Sequence, residues 1–146
     1  MDETGFLELA DELSTGSRQA DWRTAISRAY YAAFHKARTI LEQGGFHVPD
    51  AERAHAYLWL RLSNCDHPDV NSAGARLTRL RKMRNWADYD FDRPLDGDTA
   101  LEQVGVALEI VQLLHQLANE PTILSHVVDA IKIYERDVLR EVTWHS

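Results

Sequence analysis

The sequence predicts an all-α fold, an antiparallel helical bundle of about five to six helices with short connections. Three observations carry this. Apolar residues recur at spacings of three and four along most of the chain, strand-like alternation never persists, and each periodic run closes on Gly, Pro or a Ser/Thr/Asp/Asn cluster. At 146 residues the chain can bury a core and is read as one domain over 1–146, with 122–146 set apart as a C-terminal extension helix.

The first helix runs over 4–14 and breaks at Ser14, Thr15, Gly16 and Ser17. From Asp21 to Gln43, Ile26, Tyr30, Ala33, Ala37, Ile40 and Leu41 form an apolar stripe that Gly44 and Gly45 stop. Asp50 is placed to cap a third helix, with Ala54, Leu58 and Leu62 along one side. A connection over 64–68 leads to a fourth helix from Asp69 to Tyr89, whose stripe is Val70, Ala73, Leu77, Leu80 and then Met83 or Arg84. After the loop 92–97 with Pro94, TALEQVGVALEIVQLLHQLANE makes a strongly apolar fifth helix, expected at the centre of the bundle and ended near Pro121. Thr122 to Val142 reads as a sixth helix, amphipathic but more β-branched and acidic.

Composition excludes several classes. No apolar stretch approaches the length of a membrane span, and the acidic start MDETGFLELADEL lacks the basic flank of a signal peptide, so the expected location is cytoplasmic. The lone Cys65 offers neither a disulfide nor a thiolate metal cluster. No glycine-rich phosphate loop, HExxH or GxSxG motif is present. Asp88, Asp90, Asp92, Asp96 and Asp98 lack the calcium-loop order and read as a solvated loop, so neither metal nor cofactor is expected.

Charge is unevenly distributed. The formal net charge is −7, yet residues 18–91 hold twelve bases against eight acids. Within that segment Arg76, Arg79, Arg81, Lys82 and Arg84 run without an intervening acid. They read either as a solvated helix face or as a phosphate-attracting surface.

Two clusters carry candidate chemistry. On the second helix Arg28, Tyr31 and His35 fall on one side, with small Ala29, Ala32, Ala33 and Ala37 allowing close approach of another helix. On the fourth, Arg81, Arg84 and Asp88 share a face, so Arg84 either pairs with Asp88 or holds a phosphate beside a polar neighbour. Tyr30 and Tyr31 equally suit a packed helix interface.

Together, SRAYYAAFHKAR and RLTRLRKMRNWADYDF resemble the HEPN superfamily, the higher-eukaryote and prokaryote nucleotide-binding domains. The likeness is to its small bacterial branch, in which an SRxYYAxF-like helix accompanies an R..R..ADY-like helix, and it covers roughly residues 18–118. The resemblance implies a helical bundle, commonly a homodimer with the two signatures near the dimer cleft. Many members are metal-independent RNases, often toxins or defence components, and several are neutralised by a small nucleotidyltransferase. Their nuclease signature is an Arg, then a polar residue, with a His four to six positions on. Arg84 and Asn85 match its start, whereas positions 88–90 are Asp88, Tyr89 and Asp90.

An Asp is too acidic at rest to serve as general acid without a strong shift. The nuclease expectation is therefore a composite site of Arg84, Asp88, Tyr89, His35 and Tyr31, with Arg28, Arg76, Arg79, Arg81, Lys82 and Asn85 contacting RNA. His47 and His55 have no flanking partner in the sequence, and Cys65 beside Asp66 and His67 has the wrong geometry for a thiol nucleophile. The alternative is a catalytically inactive dimeric interaction protein that partners a small nucleotidyltransferase, in which Arg84 and Asp88 pin helices and the tyrosines pack.

Overall fold

A computed structural model describes residues 3–50 and 52–145. It is all-helical: α1 (Glu3–Ser14), α2 (Gln19–Gln43), α3 (Arg53–Leu62), α4 (Pro68–Tyr89), α5 (Gly97–Ala118) and α6 (Pro121–Tyr134), followed by one π-helical turn (Glu135–Leu139). Among the described residues the sole β pairing is an isolated antiparallel bridge between Phe46 and Trp144. None of the described helices is long and apolar enough to cross a membrane.

Two compact units make up the chain. One contains the residues up to His35 together with Arg76–Val111, and the other contains Lys36–Ala75 with the residues from Gln112 onward. In the first unit Ile26, Ala29 and Tyr30 of α2 are buried, as are Leu77, Leu80 and Ala87 of α4 and Ala100, Ala107 and Ile110 of α5. Contacts between α2 and α4 pair Arg23 with Ala87, Ser27 with Asp88, and Tyr31 with Arg84, so the two helices run antiparallel there. Small side chains at Ala25, Ala29, Ala32 and Ala33, all fully buried, fit that close approach.

Arg23 fixes the end of α4. Its Nη1 donates to the carbonyls of Trp86, Ala87 and Asp90 at 3.0–3.2 Å, and Nη2 donates to Arg93 O at 2.6 Å. Terminal carbonyls of a helix have no partner within it, and a buried cation satisfies them while complementing the helix dipole. Nearby, Trp22 Nε1 donates to Gly16 O at 2.8 Å and holds the turn between α1 and α2.

In the second unit the core is built from Ile40, Leu41, Leu58, Leu62, Leu114, Val127 and Ile131. Gly74 allows α4 to approach α3, since a Cβ there would stand 2.8 Å from Ser63 Oγ and 3.0 Å from Leu62 Cβ. A buried ion pair joins Arg61 Nε of α3 to Glu135 Oε2 at 2.7 Å, with both side chains almost completely enclosed. The same carboxylate accepts Thr143 N at 2.9 Å and the Thr143 hydroxyl, which is also bonded to Tyr57 Oη.

Four expectations need correction. Asp50 does not cap α3: it is exposed and accepts from Arg38 Nη2 at 3.2 Å, while Glu52 takes the N-cap position without a side-chain bond. α5 begins earlier than expected, capped by Asp96, whose Oδ1 accepts Thr99 N at 2.8 Å; that bond holds its carboxyl below the usual range. α5 is also not the most enclosed helix, because Leu101 and Leu108 face outward, whereas α2 is buried at ten apolar positions. The α-helix begun at Pro121 ends at Tyr134 rather than Val142. There the carboxylate of Glu135 turns inward to Arg61 and Thr143, and Arg140 takes a left-handed conformation at φ 56° that ends the π turn.

Replacing Arg23 by Ala leaves several carbonyls buried without a donor and is expected to cost about 3 kcal/mol, read from urea unfolding midpoints. Burial pushes the Cys65 thiol up to about 11 from 9.0. The expected consequence is roughly 100-fold less thiolate at pH 8 and correspondingly slow labelling by a disulfide reagent in the native state. Because the folded pKa is the higher one, the contribution of Cys65 to stability is constant below about pH 9 and falls as pH rises toward 11, which alkaline unfolding curves of wild type and C65A would record.

Candidate functional site

Between Leu80 and Ala87, both buried, the inward stripe of α4 is interrupted at Arg84, where an apolar residue would be the ordinary choice. The guanidinium reaches across to α2. Arg84 Nη2 donates to Tyr31 Oη at 2.9 Å, Nη1 donates to Asn85 Oδ1 at 3.2 Å, and the cation lies 5.3 Å from the Tyr31 ring centre and 5.4 Å from that of Tyr89. Asp88 Oδ2 is 2.9 Å from Arg84 Nε, but off the N–H direction, so the two attract as charges without an aligned hydrogen bond. Only 16% of the Arg84 side chain is exposed.

On α2, Ser27 Oγ donates to Asp88 Oδ2 at 3.2 Å and accepts from Arg28 Nη2 at the same distance. Arg28 lies over the ring of Tyr31 at 4.9 Å and of Phe6 at 5.8 Å. His35 is stacked on Phe6 at 5.7 Å and lies 6.2 Å from Tyr31 and 5.4 Å from Phe34. Helix α1 thus supplies an aromatic cover to the α2 face. The Nε atoms of Arg28, Arg81 and Arg84 are closed off from water without a hydrogen-bond acceptor.

The sequence-predicted residues therefore divide. Arg28, Tyr31, His35, Arg84, Asn85, Asp88 and Tyr89 form one connected cluster, with Tyr89 at its exposed rim, 69% open to solvent. Arg76, Arg79 and Lys82 lie elsewhere, beside Met83, Glu102, Gln103 and Val106 in an open groove of about 490 Å³ along α4 and α5. There Arg76 pairs with Glu109. Among the described residues no group of three or more His, Cys, Asp or Glu side chains converges as a metal site, and the acidic loop after Asp88 is exposed at Asp90, Asp92 and Asp96.

Over 126 aligned residues the chain is 30% identical to "Uncharacterized protein MJ0992" from Methanocaldococcus jannaschii, an alignment that spans 73% of this chain and 70% of the archaeal one. The chain belongs to the MJ0992 family. No protein-family model matches the sequence, and no solved structure matches it.

In this member of the MJ0992 family, sequence reasoning missed Ser27, Phe6 and Arg23. Ser27 precedes Arg28 in the string already singled out, and its spacing of four from Tyr31 places it on the same face. Phe6 carried only the signal of a short amphipathic helix, and the acceptors of Arg23 are backbone carbonyls, which no residue type announces.

Chemically, the cluster offers a hydroxyl, a carboxylate and guanidinium groups around Tyr31, with an imidazole one turn away. It can hold an anion against Arg28 and Arg84, or it can lock α2 to α4. Removing the Tyr31 hydroxyl (Y31F) or the Asp88 charge (D88N) is expected to cost about 1 kcal/mol each. Because both groups hold one guanidinium, a double-mutant cycle in urea should give a coupling above about 0.5 kcal/mol; additive losses would mean that they act independently.

Proposed function

We propose that this protein is an HEPN-like, RNA-directed protein in which the paired faces of α2 and α4 take an RNA phosphate. The observation that carries this reading is the convergence of two guanidinium groups on one side chain, those of Arg28 and Arg84 lying 4.9 and 5.3 Å from the centre of the Tyr31 ring. Phosphate oxygens match guanidinium in both charge and fork geometry. The overall charge of −7 disfavours RNA everywhere except at such a local cluster.

In the catalytic form of this reading the protein is a metal-independent endoribonuclease of a toxin or phage-defence kind, acting in the cytoplasm as a homodimer. The ribose 2′-hydroxyl loses its proton to a base and attacks the adjacent phosphorus. A pentavalent phosphate forms, and the 5′-oxygen leaves with a proton from an acid. Arg84 and Arg28 would stabilise the charge on that phosphate, and His35 is the imidazole of the cluster, stacked 6.2 Å from the Tyr31 ring. Asp88 orients Arg84 and receives Ser27; it stands in place of the histidine that the HEPN nuclease signature carries.

One observation favours a second reading. Arg84 is already engaged by Tyr31 and drawn to Asp88, with little of its surface open, as expected of a residue that pins two helices. In that case the protein is a catalytically inactive dimeric partner of a small nucleotidyltransferase.

The test is cleavage of structured and single-stranded RNA in EDTA by wild type, R84A and H35A, with binding followed in parallel at two salt concentrations. The nuclease form predicts cleavage that falls at least about 100-fold in both variants. Intact RNA with affinity lost in R84A supports phosphate binding without cleavage. Absence of both binding and cleavage overturns the RNA reading and leaves the partner protein.

A further inference from the structure

Two histidines of the second unit play no part in the cluster around Arg84. Gly45, at φ 96°, turns the chain out of α2, and Phe46 then pairs with Trp144. His47 N donates to Thr143 O at 2.9 Å and His145 N to Gly45 O at 3.0 Å, so these two short segments are bonded on both sides of the bridge. Thr143 is itself held by Glu135 and Tyr57.

Side chains alternate along extended backbone, and Phe46 turns inward, 3% exposed. His47 and His145 each stand one position from a bridge residue and are exposed together. Their ring centres are 4.4 Å apart, edge to face. Neither imidazole has a hydrogen bond or ion pair with a described residue. They border an opening of about 400 Å³ that Glu42 also lines, with Glu42 Oε1 held by Arg38 Nε at 2.7 Å.

We propose that His47 and His145 form a two-imidazole site for a divalent transition ion of the Zn²⁺ type, which clasps the segment at Thr143–His145 to the segment after α2. Neutral imidazole is a borderline donor that suits Zn²⁺, Cu²⁺ or Ni²⁺ and not the oxygen-seeking Mg²⁺ or Ca²⁺. A tetrahedral ion at about 2.0–2.1 Å from each nitrogen needs the two donors about 3.3 Å apart. With ring centres 4.4 Å apart on bonded backbone, the site calls for side-chain rotation and no backbone shift. Water fills the remaining positions, since no third His, Cys, Asp or Glu converges there among the described residues.

The experiment is calorimetric titration of the full chain with ZnCl₂ at pH 7.5, for wild type, H47Q, H145Q and H126Q. His126 is the control because it lies 3.4 Å from Asp66 and is the other exposed histidine beside a carboxylate. A single saturable site is expected, weakened at least about tenfold by H47Q and by H145Q and unchanged by H126Q. No saturable binding, or binding indifferent to either histidine, would overturn the proposal. All three glutamine variants change exposed side chains, so their thermal midpoints without zinc should match wild type.

Discussion

The guanidinium of Arg23 sets the geometry on which the first unit depends. Its two terminal nitrogens collect four backbone carbonyls from the end of α4 and the loop beyond it, while Gln19 Oε1 receives the remaining donors at 3.3 Å. This one side chain of α2 therefore fixes where α4 stops and how its last two turns are rotated. Those turns carry Arg84 and Asp88. The pairings of Ser27 with Asp88 and of Tyr31 with Arg84 follow one and two turns along from the Arg23 anchor, so the candidate site is a continuation of the same helix contact.

In the second unit a charge pair takes the corresponding part. Arg61 and Glu135 are 2% and 0% exposed, and the Arg61 cation stands 3.5 Å from the centre of the Tyr57 ring. Removing two charges from water is costly, and such a pair persists only where further hydrogen bonds complete it. Here Glu135 accepts from Thr143 twice, and Arg61 Nη1 donates to Tyr57 O at 3.2 Å. Arg23 differs in kind, because its acceptors are neutral carbonyls and its stabilisation comes from completing a helix end.

Helix existence was legible because period-three-and-four apolar spacing reports directly on one buried face, and all six helix starts fall within about two residues of their expected positions. Ends governed by tertiary partners were not legible. Asp50 has the residue type of a cap, yet Arg38 competes for its carboxylate; the end of α6 is set by Glu135, whose partners lie in α3 and near the C-terminus. The basic run looked like one surface in the linear sequence. Helical rotation splits it, sending Arg84 toward Tyr31 and leaving Arg79 and Lys82 in the groove beside α5. The face shared by Arg28, Tyr31 and His35 was readable from spacing alone, whereas the hydroxyl of Ser27 gained meaning only once Asp88 stood opposite it.

The π turn after α6 bears on which length changes the chain can absorb. A π turn holds one more residue than an α turn over the same stretch of helix, and Arg140 N closes this one onto Glu135 O, which also accepts from Glu141 N at 3.0 Å. Glu135 and Thr143 are eight positions apart, and both oxygens of the carboxylate depend on that count. A one-residue deletion between them would restore ordinary helical pitch locally and carry Thr143 away from the buried charge. Substitutions at the exposed positions Arg136, Asp137 and Val138 leave the count intact. In this stretch the geometry therefore constrains residue number more than residue identity, and insertions or deletions are the changes it resists most.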